Sequence, residues 1–151
     1  MKKPFIAVLM LFLAGALAGQ VKKSPDRKEG EGPYPQLIIR GVTLINGNGA
    51  PPVGPVDVVV ENNLIKEVRN VGYPGVPIDP KGRPQLKTGG KELQAEGMYL
   101  LPGFVDMHGH IGGQAQGADA EYVFKLWMGH GITTIRDPSA GNGLDWVLEH
   151  K

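Results

Sequence analysis

His108 and His110 are the residues of this sequence best placed to do chemistry. In an extended strand, residues two apart point to the same face, with Cα atoms about 6.6–6.8 Å apart. Two imidazoles set out this way can lean in to meet one ion at about 2.0–2.1 Å. Asp106 has the same parity one step deeper and could hydrogen-bond a ligand histidine, fixing its tautomer. Gly109 lets something approach closely from the other face, and Gly112 and Gly113 open the loop above. A His-x-His also recurs by chance on surfaces and in satisfied cores, so spacing alone leaves both readings open. There is no cysteine, hence no thiolate metal site, no cysteine nucleophile and no disulfide framework.

The other titratable candidates read more plainly. Asp137 stands where a second strand ends and could reach the mouth of the site from the substrate side. Pro138 forces it extended, which also suits a simple turn. Arg136 could meet an anionic substrate group, or be a paired or solvated strand-end charge. His130 falls at a helix C-terminus, where the dipole favours an imidazolium, and reads as structural; His150 reads as solvated. Trp127 falls on an apolar helix face and reads as core, whereas Trp146 lies off the stripe of Leu144, Val147 and Leu148.

The elements around the histidines follow from periodicity. Phe104 to His110 reads as a buried strand that carries both histidines at its C-terminal end, where parallel α/β folds place their sites. A loose loop, Ile111 to Gly117, follows. Ala118 to His130 has helical spacing, with Val123, Leu126, Trp127 and His130 on one face. Asp119 can cap its start, Glu121 and Lys125 stand at i and i+4, and Gly131 ends it. Ile132 to Ile135 reads as a second buried strand and Leu144 to Lys151 as a second helix. Strand, helix, strand, helix with short joins is a parallel α/β pattern.

Residues 36–101 read differently, as a small antiparallel β unit. Leu37–Ile39 and Val42–Ile45 are β-rich and separated by Arg40-Gly41. Asn46 to Gly49 is a turn cluster and Ala50 to Pro55 a rigid loop. Asp57–Glu61 and Leu64–Val68 form a hairpin about Asn62-Asn63. Gly72 to Gly90 reads as an irregular surface loop, and Leu93–Ala95 and Met98–Leu101 as short extended pieces.

The 151 residues carry 16 Lys+Arg against 15 Asp+Glu, so there is no electrostatic case for a nucleic-acid partner or an anionic membrane surface. Aromatics are 7%, too few for a base-stacking surface. Gly and Pro, at 23 and 13 residues, cluster between apolar segments and mark turns in a folded chain. Residues 1–18 read as a cleavable signal peptide: Met1-Lys2-Lys3, an apolar run from Phe5, and Ala16-Leu17-Ala18 as a cleavage site. The run is short for a stable membrane anchor. The expectation is a secreted or periplasmic protein, with a charged, flexible linker at 19–35.

Pro102-Gly103-Phe104-Val105-Asp106-Met107-His108-Gly109-His110 resembles the first-strand signature of the amidohydrolase superfamily of metal-dependent hydrolases. Upstream, LIIRGVTLINGNG and DVVVENNLIKEV look like the family's N-terminal β-sandwich. Downstream, GHGITTIRDPSAG looks like its second barrel strand. The resemblance implies an α/β fold: the start of a (β/α)₈ TIM-type barrel at 102–151, about two of eight units, preceded by part of a β-sandwich at 36–101. It implies one or two divalent ions, most often zinc, with His108 and His110 ligating the more buried one. It also implies hydrolysis of C–N bonds in a small molecule or short peptide by metal-activated water. The family's remaining ligands and general base come from later strands, so the chain is expected to be an inactive, incomplete N-terminal part. The other reading is a small exported, non-enzymatic β-rich module with at most a weak histidine metal site.

Overall fold

β-Branched residues are concentrated in two nine-residue stretches, and in the computed structural model both are strands. The structure describes residues 30–138 and 141–150. The signal peptide read over 1–18 and most of the linker read over 19–35 lie outside the described residues. Strands β1 (Gln36–Leu44) and β2 (Val53–Glu61) pair antiparallel, with Ile38 opposite Val59 and Ile39 opposite Val58. β3 (Leu64–Asn70) returns antiparallel on β2. Asn62 and Asn63 make the turn with φ of 50° and 63°, the left-handed pair that a two-residue hairpin with native twist requires.

Three expectations for this sheet need correction. Arg40-Gly41 does not divide two strands: β1 runs through it with an irregularity in pairing between Ile39 and Val42. Gly41 takes φ of 72°, and a Cβ there would lie 2.5 Å from Glu96 Cγ, so the kink needs glycine. The rigid loop is shorter than 50–55, because β2 already starts at Val53. Nor is the unit wholly antiparallel. β4 (Lys91–Gln94) and β5 (Tyr99–Leu100) both lie parallel to β1, giving a sheet of order β3-β2-β1-β4 with β5 also on β1. The Pro/Gly-rich segment between β3 and β4 is long enough to carry the chain back to the same end, as a parallel neighbour demands.

That segment also covers one face of the sheet. On the opposite face Val42, Val56, Val58 and Ala95 are buried together, packed by Ile39, Leu44, Val60 and Leu100. On the face of Ile38 and Val59, Asp57 is fully buried. Arg83, from the connecting segment, holds it through Nε at 2.9 Å and Nη2 at 2.7 Å. Arg40 Nη1 donates to it at 2.9 Å and the Gly41 amide at 2.9 Å. Glu92 takes the remaining nitrogens of Arg40. Lys87 donates its backbone N–H to Gln36 Oε1 at 2.8 Å. Burial by itself pushes the Asp57 carboxyl up, but the bonds from Arg83, Arg40 and Gly41 together hold it below the usual range. Arg83 is raised in return, by the same carboxylate. The segment read as an irregular surface loop is therefore irregular but tied down.

The second part is a parallel pair with helices. β6 (Phe104–Asp106) pairs with β7 (Ile132–Ile135), α1 (Ala120–Gly129) connects them, and α2 (Leu144–Glu149) follows. Asp119 caps α1 by accepting from the Tyr122 amide at 3.2 Å, Lys125 and Glu121 pair at 3.1 Å, and Gly131 ends the turn at φ of 75°. Neither strand is fully buried, contrary to expectation: Phe104 and Val105 of β6 are 58% and 57% exposed, and Thr133 and Thr134 of β7 are exposed as well. Among the described elements β6 pairs only with β7, and only α1 packs on the pair, through β7. No described helix is long and apolar enough to cross a membrane.

Candidate functional site

The ladder between β6 and β7 continues past the strand ends and sets the site's backbone. Arg136 N–H donates to Asp106 O at 2.8 Å, and Gly109 N–H donates to Arg136 O at 3.1 Å. The strand itself ends at Asp106, so His108 and His110 do not stand on it as expected; they lie in the turn just beyond its C-terminal end. The turn has a local cause. Asp106 Oδ1 accepts from the His108 backbone N–H at 2.9 Å, the short-range bond by which Asp bends a chain two residues on. Asp106 thus shapes the backbone of the motif; the hydrogen bond found for it is not to an imidazole ring.

The two imidazoles nonetheless meet. Their ring centres are 5.5 Å apart and their planes are inclined by 80°. Two imidazoles sharing a tetrahedral ion at about 2.0–2.1 Å have ring centres about 5 Å apart, so this pair could supply two of an ion's ligands. Among the described residues no group of three His, Cys, Asp or Glu side chains stands ready to complete a set. The ring partner that Asp106 was expected to be is instead Asp137, whose Oδ1 is 3.3 Å from His110 Nδ1. Asp137 is 10% exposed at its side chain, against 42% for His110. A proton on Nδ1, facing that carboxylate, leaves Nε2 with the lone pair.

Glycine at 109 has a packing cause. A Cβ there would sit 2.5 Å from Ile135 Cγ2, and 3.2 Å and 3.4 Å from Cζ2 and Cη2 of Trp127. What approaches Gly109 is the protein's own β7 and α1. The following loop is not loose either. Gly112 N–H donates to Gln116 Oε1 at 2.9 Å and Gly113 N–H to Ala118 O at 2.6 Å. Asn142 clamps it from outside, donating to Gly112 O at 2.7 Å and accepting from the Ala115 amide at 2.9 Å. Sequence reading missed Asn142; its position between Gly141 and Gly143 marks it only as a turn residue.

The remaining candidates stay outside the pair. His130 Nδ1 lies 2.8 Å from Leu126 O at the end of α1, in keeping with a structural role. His150 Nδ1 lies 2.8 Å from Trp146 O and its ring stacks on that indole at 4.1 Å. Arg136 Nη1 reaches Met107 O at 3.5 Å, along the rim. Val123, Leu126, Trp127, His130 and Ile132 line an apolar cavity of about 390 Å³ beside α1.

No family model matches the chain. It is 40% identical over 65 residues to adenine deaminase 2 of Desulfotalea psychrophila, a match covering 38% of this chain and 11% of that protein. It is 32% identical over 109 residues to N-acyl-D-aspartate deacylase of Alcaligenes xylosoxydans xylosoxydans, covering 72% of this chain and 18% of that protein. The chain thus spans less than a fifth of the length of these curated relatives. Among solved structures it is similar to molinate hydrolase, at 24% identity and a TM-score of 0.47, over 69% of this chain and 24% of the other. Over the matched residues the chain is homologous to members of the amidohydrolase superfamily, the family that its Pro102–His110 motif resembles.

Proposed function

We propose that this chain forms part of a metal-dependent hydrolase that cleaves C–N bonds (amide, peptide or cyclic amide) in small molecules or short peptides. The carrying observation is the His108–His110 pair, 5.5 Å apart beyond the C-terminal end of a parallel strand. Adenine deaminase and N-acyl-D-aspartate deacylase among the relatives support the bond class. His108 and His110 would hold a divalent ion, zinc in first place, together with ligands outside this pair. Bound there, the ion supplies Lewis acidity and a water acidic enough to attack near neutral pH. The chain's own residues hold and orient. Asp106 bends the backbone that carries both imidazoles, and Asp137, facing His110 Nδ1, would keep the proton there and leave Nε2 as the ligating nitrogen.

In this reading β6-α1-β7-α2 is the opening of a (β/α)₈ barrel and residues 36–101 are part of a β-sandwich. The exposed side chains of Phe104 and Val105 support it, because a barrel strand buries one face in the barrel interior and the other under the surrounding helices. Residues 1–18 direct export, with cleavage after Ala18, on the strength of the basic start and the short apolar run.

The test is zinc content of the purified chain beside a His108→Ala/His110→Ala double variant. Zinc that is readily chelated and lost in the variant supports the reading. An ion that survives both substitutions would sink the assignment of these histidines. Zinc in neither protein would count against a metal role for this part of the enzyme.

A further inference from the structure

We infer that Trp127, on α1 and outside the histidine motif, is a positioning residue that sets the angle between the His108 and His110 imidazoles. The inference rests on the metal reading above only for its functional consequence, since the geometry stands without an ion. Gly109 is the single residue between the two histidines, so its placement governs where both rings point. Two things fix it. Its amide is held by Arg136 O at 3.1 Å, which locates it along the strand direction. Its Cα rests on a floor made by Ile135 Cγ2 and the outer edge of the Trp127 indole, Cζ2 and Cη2, so close that a Cβ would overlap Ile135 and crowd the indole. Those two indole atoms belong to the six-membered ring, the part of tryptophan that a phenylalanine at the same position would not extend far enough to replace.

The polar end of the same side chain points to the same role. Trp127 Nε1 is buried and has no hydrogen-bond partner among the described residues. An unsatisfied buried donor is costly, and a residue kept only to fill space beside Val123, Leu126 and Ile132 could be phenylalanine or leucine without that cost. The gain that offsets it is reach: the indole spans from the α1 backbone to the underside of Gly109. Removing it opens space under the turn, into which Gly109 can settle, and the imidazoles then lose their common direction. The effect on an ion is that of losing an outer support for its ligands, about tenfold or more in affinity.

The experiment compares the 151-residue chain with Trp127→Phe and Trp127→Leu by two readouts. In ¹³C-histidine-labelled, metal-free protein at fixed pH, the imidazole signals of His108 and His110 are expected to move towards free-histidine positions in both variants. His150, stacked on Trp146 away from the floor, stays in place and reports that the chain is folded. In a cobalt(II) titration both variants are expected to bind at least about tenfold more weakly than the parent. Thermal stability of Trp127→Phe stays near the parent's, because the orphan donor is gone. Imidazole signals of His108 and His110 that stay unchanged in both variants would overturn the inference. If the parent itself binds no cobalt, the metal reading fails, while the imidazole spectra still decide the positioning role.

Discussion

Replacing Asp57 by alanine should be among the most damaging single changes in the sheet. The carboxylate is fully buried, and the change deletes two bonds from Arg83, one from Arg40 and one from the Gly41 amide. It leaves behind two guanidinium groups with side chains only 9% and 17% exposed. Removing one member of a buried ion pair typically costs about 3–5 kcal/mol, mostly the cost of the charge left unpaired. Arg40 retains Glu92, and Arg83 retains Glu96 at 3.9 Å, which places the expectation at the lower end, about 3 kcal/mol. With a urea m-value of about 1.5 kcal/mol/M, that is a fall in midpoint of about 2 M. Far-UV circular dichroism through a urea series is the right assay, because both tryptophans lie in the other part of the chain and would not follow the sheet. Arg83→Ala should cost less, since Asp57 keeps Arg40 and the Gly41 amide. A midpoint for Asp57→Ala within about 0.3 M of the parent, at equal m-value, would refute the view that this network staples the segment between β3 and β4 to the sheet.

The same carboxylate predicts a pH dependence. Its folded pKa lies below its unfolded value of about 3.9, so its contribution is complete above that value and is lost as pH falls through the folded pKa. The stability advantage of the parent over Asp57→Asn should therefore be constant from neutral pH down to about 5 and shrink below about 4; a difference that grows on acidification would reverse the sign of the reasoning. Asn142→Ala removes both contacts that clamp the loop after His110 and should cost about 1–3 kcal/mol locally. The expected readout is faster amide hydrogen exchange at Gly112 to Ala118, with the β1–β2 amides unchanged; equal exchange in the loop would show that Asn142 does not hold it.

Much was legible from local pattern alone. The Asn62-Asn63 turn, the Asp119 cap, the helix over 120–129 and the strands around them all follow from backbone sterics and side-chain periodicity acting over a few residues. The motif from Pro102 to His110 pointed to the superfamily for the same reason: its residue types and spacing are a property of the chain. What the sequence could not determine is which distant segments meet. That β4 and β5 run parallel to β1, and that Arg83 crosses 26 positions to Asp57, depend on how the segment between β3 and β4 folds back. The roles of the two aspartates were likewise decided in space. Asp106, close in sequence, bends the backbone of His108, whereas Asp137 faces the His110 ring only because β7 lies parallel to β6. Gly109 reads in the sequence as room for an approaching group, and only the packing of Ile135 and Trp127 beneath it shows that the group is the protein itself. Local pattern fixes what each segment becomes; the burial of apolar and charged surface between segments, which no single stretch encodes, decides what each side chain touches.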